Sequence, residues 1–164
     1  AANGANNDLL PASASAGIYL GVSSATAANL LDDYEEGEYS PTITCSTSGS
    51  YTAGGATVFA YTKIGRVVFV QGKLGIVSES SPSGQIRISL PFTVGSTTEE
   101  SDISTGSMCI YDHGGTVTQV VTRADSGDAN FKLLVVNDAG TLDFLNEGNV
   151  DTGWGICVGL SFIV

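Results

Sequence analysis

Carboxylates are the most concentrated chemical resource of this chain. The run Leu30-Leu31-Asp32-Asp33-Tyr34-Glu35-Glu36-Gly37-Glu38-Tyr39-Ser40-Pro41-Thr42 crowds acidic side chains and two tyrosines into one short stretch. Two carboxyl groups held about 5 to 9.5 Å apart across a sugar-sized cleft can cleave a glycosidic bond. These are neighbours in sequence without a recognisable partner motif, and a block of like charge repels itself and resists burial. The expectation is therefore a solvated or subunit-bridging acidic turn, not a catalytic pair. His113, the single histidine, sits in Tyr111-Asp112-His113-Gly114-Gly115, a grouping with turn character. No Gly-x-Ser-x-Gly elbow accompanies it to support nucleophilic hydrolysis. Asp125-Ser126-Gly127-Asp128-Ala129-Asn130 offers oxygen ligands, but not in the order of a calcium-binding EF-hand loop, and reads as an ordinary Asp/Gly turn. Nor is there a Gly-x-x-x-x-Gly-Lys phosphate loop. The residues predict no metal, no cofactor and no enzymatic activity.

Binding chemistry has better material. Tyr111, His113 and Trp154 combine flat apolar faces with polar edges, which suits stacking on a sugar ring or anchoring a protein surface, and they are the candidate receptor or glycan contacts. The competing reading, a core or subunit-contact residue, is the stronger one for Trp154, which stands between Gly153 and Gly155 at the mouth of a strand.

Composition narrows the partners. The chain has 164 residues and a formal charge of −11, from 17 acidic and 6 basic side chains. Phosphate backbones would be repelled, so nucleic acid is not an expected partner. Cys45, Cys109 and Cys157 are odd in number and far apart, without Cys-x-x-Cys spacing. They are expected to be buried thiols that act as small hydrophobes, as suits assembly in a reducing cytoplasm, with one disulfide among the three as the alternative. The start shows neither the basic nor the apolar region of a signal peptide, and the missing initiator Met points to a processed chain or a fragment. The apolar run from Trp154 to Val164 is too short to span a bilayer as a helix, which takes about 20 residues, so no membrane insertion is expected.

The elements that must position these residues are strands. Residues 1–41 form an N-terminal arm with the acidic junction, and 42–164 the folded domain. The arm is rich in Asn, Ala, Gly and Ser, and its apolar anchors, Ile18, Leu20, Leu30 and Leu31, have little to pack against in one chain. Residues 23–33 fit either a short helix or an extended linker. From Thr57 a period of two sets in, separating Val58, Ala60, Thr62 and Ile64 from Phe59, Tyr61 and Lys63. Gly65-Arg66 predicts a two-residue hairpin loop, and Val67 to Ile76 returns. Further strands are predicted at Gln85 to Leu90, Ser107 to Tyr111, Val117 to Thr122, Phe131 to Val136, Leu142 to Phe144 and Trp154 to Val164. Small residues on the second face of the last strand, Cys157, Gly159 and Ser161, invite close approach. Thr93 to Thr105 is the longest predicted loop. Together these predict an all-β fold, an antiparallel β-sandwich of jelly-roll type with an extended N-terminal arm.

The motif Leu31-Asp32-Asp33-Tyr34-Glu35-Glu36-Gly37, followed by Pro41 and preceded by Gly17-Ile18-Tyr19-Leu20-Gly21, resembles a junction in C-terminal domains of bacteriophage tail-fibre and other virion structural proteins. Tyr61-Thr62-Lys63-Ile64-Gly65-Arg66-Val67-Val68 is similar to that family's next hairpin, Leu90-Pro91-Phe92 to its strand exit and Gly159 to Val164 to its closing strand. Tyr39 departs from it, since Trp often stands there. The resemblance implies a homotrimeric virion appendage, a tail fibre or receptor-binding tip. It would be assembled in the host cytoplasm with other virion proteins and would meet a host-surface glycan or protein. Ile18, Leu20, Leu30, Leu31, Tyr34 and Tyr39 are then the expected subunit contacts. The alternatives are a capsid decoration or head-fibre protein, and a free carbohydrate-binding module.

Overall fold

A computed structural model of the chain describes residues 2–3, 8–9, 17–21, 23–24, 30–31, 33–55, 57–97, 101–113, 117–137, 139–151 and 153–164. The N-terminal pieces are two short ribbons, β1 (Ala2–Asn3) with β2 (Asp8–Leu9) and β3 (Ile18–Tyr19) with β4 (Leu30–Leu31). The body comprises β5 (Tyr34–Tyr39), β6 (Ile43–Cys45), β7 (Ser48–Ala53), β8 (Phe59–Ile64), β9 (Val67–Ser83), β10 (Ile86–Ser89), β11 (Ser104–Tyr111), β12 (Val117–Ala124), β13 (Asn130–Asn137), β14 (Leu142–Phe144) and β15 (Gly155–Ile163). A single 3-10 turn, Glu147–Asn149, is the only helical piece among the described residues.

The predicted all-β class holds, but the sandwich is corrected to a barrel. Strands follow one another in the order β15-β11-β12-β13-β10-β6-β7-β9, and β9 then pairs with β15, which closes an eight-stranded antiparallel ring. Closure rests on the length of β9. Its first half lies between β15 and β8, with Val70 opposite both Leu160 and Tyr61, and its second half continues against β7. β8 and β5 extend the sheet beyond the ring, and β14 adds to β13.

Alternation fills the interior. Val68, Val70, Leu74 and Ile76 of β9 and Ile156, Val158, Leu160 and Phe162 of β15 point inward and are buried. Ile43, Ile86, Ile88, Phe131 and Leu133 meet them from the opposite wall. On β8 the inner face is Phe59, Tyr61 and Lys63, while Val58 and Ile64 are exposed. The hairpin at Gly65-Arg66 forms as predicted, with Gly65 at φ 56°, a conformation that favours glycine.

Within the body, β5 and β7 lie where no strand was expected. The acidic run is the edge strand β5, register-paired from Tyr34 opposite Ile64 to Tyr39 opposite Phe59, and not a turn. β6 and β7 occupy the Ser/Thr-rich segment after Pro41. Of the expected helix or linker at 23–33, only Leu30–Leu31 forms a described element, a strand, and the middle lies outside the described residues. The predicted loop at 93–105 is pinned where it is described. Val94 N–H donates to Asp128 C=O (2.9 Å), Gly95 N–H to Ile163 C=O (2.7 Å), and Val94 is buried.

Gly72 interrupts the apolar row of β9 because the Phe59 ring occupies its place: a Cβ there would lie 2.1 Å from Phe59 Cδ1. Phe59 is fully buried and cannot swing away into solvent. Gly72→Ala should therefore lower unfolding stability by about 1–3 kcal/mol in urea titration, and an unchanged midpoint would contradict this packing.

Candidate functional site

Because one face of each strand fills the barrel, the opposite faces of β5, β8, β9, β15 and β11 make one continuous outer surface. The register sets its rows. Glu36, Thr62, Phe69 and Ser161 lie side by side across four strands, with Glu38, Ala60, Gln71, Gly159 and Ser107 in the next row across five. Gly159 leaves a depression between bulkier neighbours, and a groove of 390 Å³ runs over Thr62, Phe69, Gln71, Thr105 and Ser161. Phe69 is 51% exposed beside it. Hydroxyl and amide groups around one aromatic face can hydrogen-bond and stack on a neutral polar ligand. Among the described residues the lining holds no carboxylate, imidazole or thiol. Sequence reasoning missed this groove because its residues come from four strands; the only local signal was the run of small residues on the last strand.

The three predicted contact residues do not converge on one surface. Trp154 is 1% exposed and packs edge-on against Tyr51, with ring centroids 5.4 Å apart and planes at 90°. Its ring belongs to the core, the stronger of its two sequence readings, and is not placed on a surface for a receptor contact. Tyr111 lies on the outer face but is half-buried, because its ring covers Gly155 opposite it. Its hydroxyl donates to Leu74 C=O (2.9 Å), and the Lys73 ammonium sits 5.3 Å from the ring centroid. A Cβ on residue 155 would come within 2.2 Å of Tyr111 Oη, so glycine is what lets the ring lie flat. Tyr111 thus clasps β11 across β15 to β9. His113 is half-buried just after β11, with Nδ1 turned inward and without a hydrogen-bond partner among the described residues.

The expected subunit contacts divide into two kinds. Ile18 is 62% exposed and Leu20 54% exposed, while Leu31 and Leu30 are half-buried as cross-strand partners of Ile18 and Tyr19. Tyr34 is exposed at the start of β5, donating to Glu36 Oε2 (2.9 Å). Tyr39 differs. Its ring packs edge-on against Phe59 (5.9 Å) and Tyr61 (6.4 Å), its hydroxyl donates to Ser89 C=O (3.2 Å), and burial pushes its pKa well above the ordinary tyrosine value. That side chain is engaged within its own subunit.

Charge is arranged sparingly. Lys63 pairs with Asp33, and Tyr61 donates to Glu35, which fastens the acidic edge strand to β8. Three of the six cations, Arg123, Lys132 and Arg87, sit directly opposite one another across β12, β13 and β10. Like charges so placed repel. Asp125 relieves this by accepting from both Arg123 and Lys132 (2.5 Å each), and Asp128 adds a third contact to Lys132 (2.7 Å). Burial pushes the Asp125 carboxyl up, yet the hydrogen bonds and charges of Lys132 and Arg123 together hold it below the usual range. These carboxylates are occupied by protein cations. Among the described residues no group of three or more His, Cys, Asp and Glu is placed to hold a metal ion.

The fold has a counterpart among solved structures. The crystal structure of Dettilon tailspike protein superposes on 80% of this chain with a TM-score of 0.63 at 16% identity. The match spans 24% of that protein, so the chain corresponds to a minor part of its length. No family model matches the chain, and no curated protein matches it. The likeness is one of fold.

Two outcomes test the site's architecture. Tyr111→Phe should cost about 0.5–1.5 kcal/mol of stability by losing the bond to Leu74 while keeping the ring, measurable by denaturant unfolding. Asp102, fully buried, has its carboxyl lowered chiefly by the Thr97 N–H that donates to Oδ2. A depressed folded-state pKa stabilises above the unfolded value of about 3.9 and is lost as pH falls through the folded one. Asp102→Asn should therefore melt below the parent at pH 7, with the gap narrowing below about pH 4; a gap independent of pH would refute this.

Proposed function

We propose that this chain is a non-enzymatic structural protein of a phage virion, working as a homotrimeric tail-fibre or receptor-binding tip. The observation that carries this reading is an all-β barrel like part of a tailspike protein, joined to an arm whose Ile18, Tyr19 and Leu20 stay exposed in the single chain. Exposed apolar residues on a short ribbon gain little from their own subunit. Three copies around a threefold axis would bury them against one another. Tyr34, exposed where the arm meets β5, joins that contact, and Tyr39 supports it from within.

In this reading the host-facing surface is the outer face of β8, β9, β15 and β11. The groove beside Phe69 carries neutral donors and acceptors and no acid–base pair, which favours recognition of a neutral glycan over its cleavage. Tyr111 lies on the same face, opposite Gly155 further along β15 and outside the groove. The same groove favours the second reading, a carbohydrate-binding module; binding by an isolated monomer on a glycan array would distinguish it from a virion tip that needs three subunits.

Removal of residues 1–31 should convert a trimer into monomers in sedimentation velocity while the barrel's circular dichroism and melting persist. Trimers that survive the deletion would remove the arm from the assembly, and a monomeric full-length chain would overturn the proposal.

A further inference from the structure

Cys109 and Cys157 do not behave as the buried small hydrophobes that sequence reasoning expected. Both thiols are exposed, and the register places them directly opposite each other on the outer face of β11 and β15. An open depression of 410 Å³ lies over them, lined by Ser107, Met108 and Gly159 besides the two cysteines and Val158. Their pairing type follows from the hydrogen-bond phase. Ile76 N–H donates to Trp154 C=O and Val164 N–H to Arg66 C=O, so even-numbered residues of β15 turn their peptide groups toward β9. Cys157 therefore turns its own toward β11 and forms a hydrogen-bonded pair with Cys109. Opposed residues of that type have Cα atoms about 5.5 Å apart, inside the span of about 4.4 to 6.8 Å that a disulfide accepts. The two Cβ atoms must still draw together, to about 3.8 Å. Gly155 and Gly159 stand two residues to either side of Cys157, where the chain is least constrained.

We propose that Cys109 and Cys157 are a redox modification site, which a small-molecule disulfide oxidises to an intramolecular bridge between β11 and β15. The thiolate of one cysteine attacks the external disulfide, forming a mixed disulfide and expelling one thiolate. The second cysteine attacks the protein-bound sulfur and expels the other. Two protein thiols are oxidised, one external disulfide is reduced to two thiols, and the two protons pass to them. Cys45 takes no part. It lies on β6, on the far side of the ring, half-buried, with burial pushing its thiol up. The bridge would join the C-terminal strand, whose pairing with β9 closes the barrel, to its other neighbour. The chain between the two cysteines, residues 110–156, would become a closed loop, which restricts the unfolded state.

The test uses the full chain, first reduced and then equilibrated with oxidised glutathione. The expected result is a fall from three titratable thiols to one, a Cys109–Cys157 linked peptide in non-reducing mass spectrometry, and no retained glutathione. The thermal midpoint should rise by about 5–10 °C, and dithiothreitol should restore all three thiols. Cys45→Ala should show the same linkage and rise, whereas Cys109→Ser should show neither. Three thiols persisting after oxidation, stable glutathione adducts on both residues, or bridges only between separate chains would each overturn the proposal. It stands on strand register alone, so its failure leaves the virion reading untouched.

Discussion

The pairing of β9 with β15 is the constraint on which the rest of the structure depends. It runs from Gly155 opposite Gly75 to Ile163 opposite Val67 and converts an open sheet with two unpaired edges into a ring. Unpaired strand edges are an aggregation hazard, and closure removes them. It also lines up the inward residues of both strands. Leu74 faces Ile156 and Val68 faces Phe162, so the ring and the core form together. It sets the small residues of β15 beside Phe69, while the register of β15 with β11, its other neighbour, places Tyr111 over Gly155 and Cys157 opposite Cys109.

Where the ring does not protect the sheet, charge does. β5 pairs only with β8 among the described residues and presents Glu35, Glu36 and Glu38 along its length. An acidic edge repels a second acidic edge, which discourages uncontrolled strand addition. With so few cations in the chain, each one counts. Lys63 anchors the edge strand at Asp33, and Lys132 joins Arg123 through Asp125. The excess of acid is left on the surface, where it keeps copies soluble.

Interior and exterior have separate tasks in this molecule. Aromatic residues that seemed fit for a ligand are spent on architecture. Trp154 packs against Tyr51 inside, and Tyr111 clasps three strands outside. Under the proposed reading, a shallow groove of hydroxyls and amides is left for recognition and a short apolar arm for assembly.

Sequence alone determined the strands whose alternation is strong. β8, the first half of β9, β13 and β15 carry mostly large apolar residues at every second position, and the glycine of the 65–66 loop marks the connection of β8 to β9. It did not disclose β5, because a run of carboxylates looks like a solvated turn until a neighbouring strand supplies Lys63 and Tyr61. Nor did it disclose β7, where Tyr51 is the one fully buried side chain among serines, threonine, alanine and glycine. Barrel and sandwich share a local pattern, because each buries one face of each strand. Only the tertiary pairing of β9 to β15 decided between them. That pairing also decided which face is outside, and so whether a cysteine between two buried residues would be core or surface. Periodicity separates two faces of a strand but does not name the inner one; that is fixed by the partners that close over it.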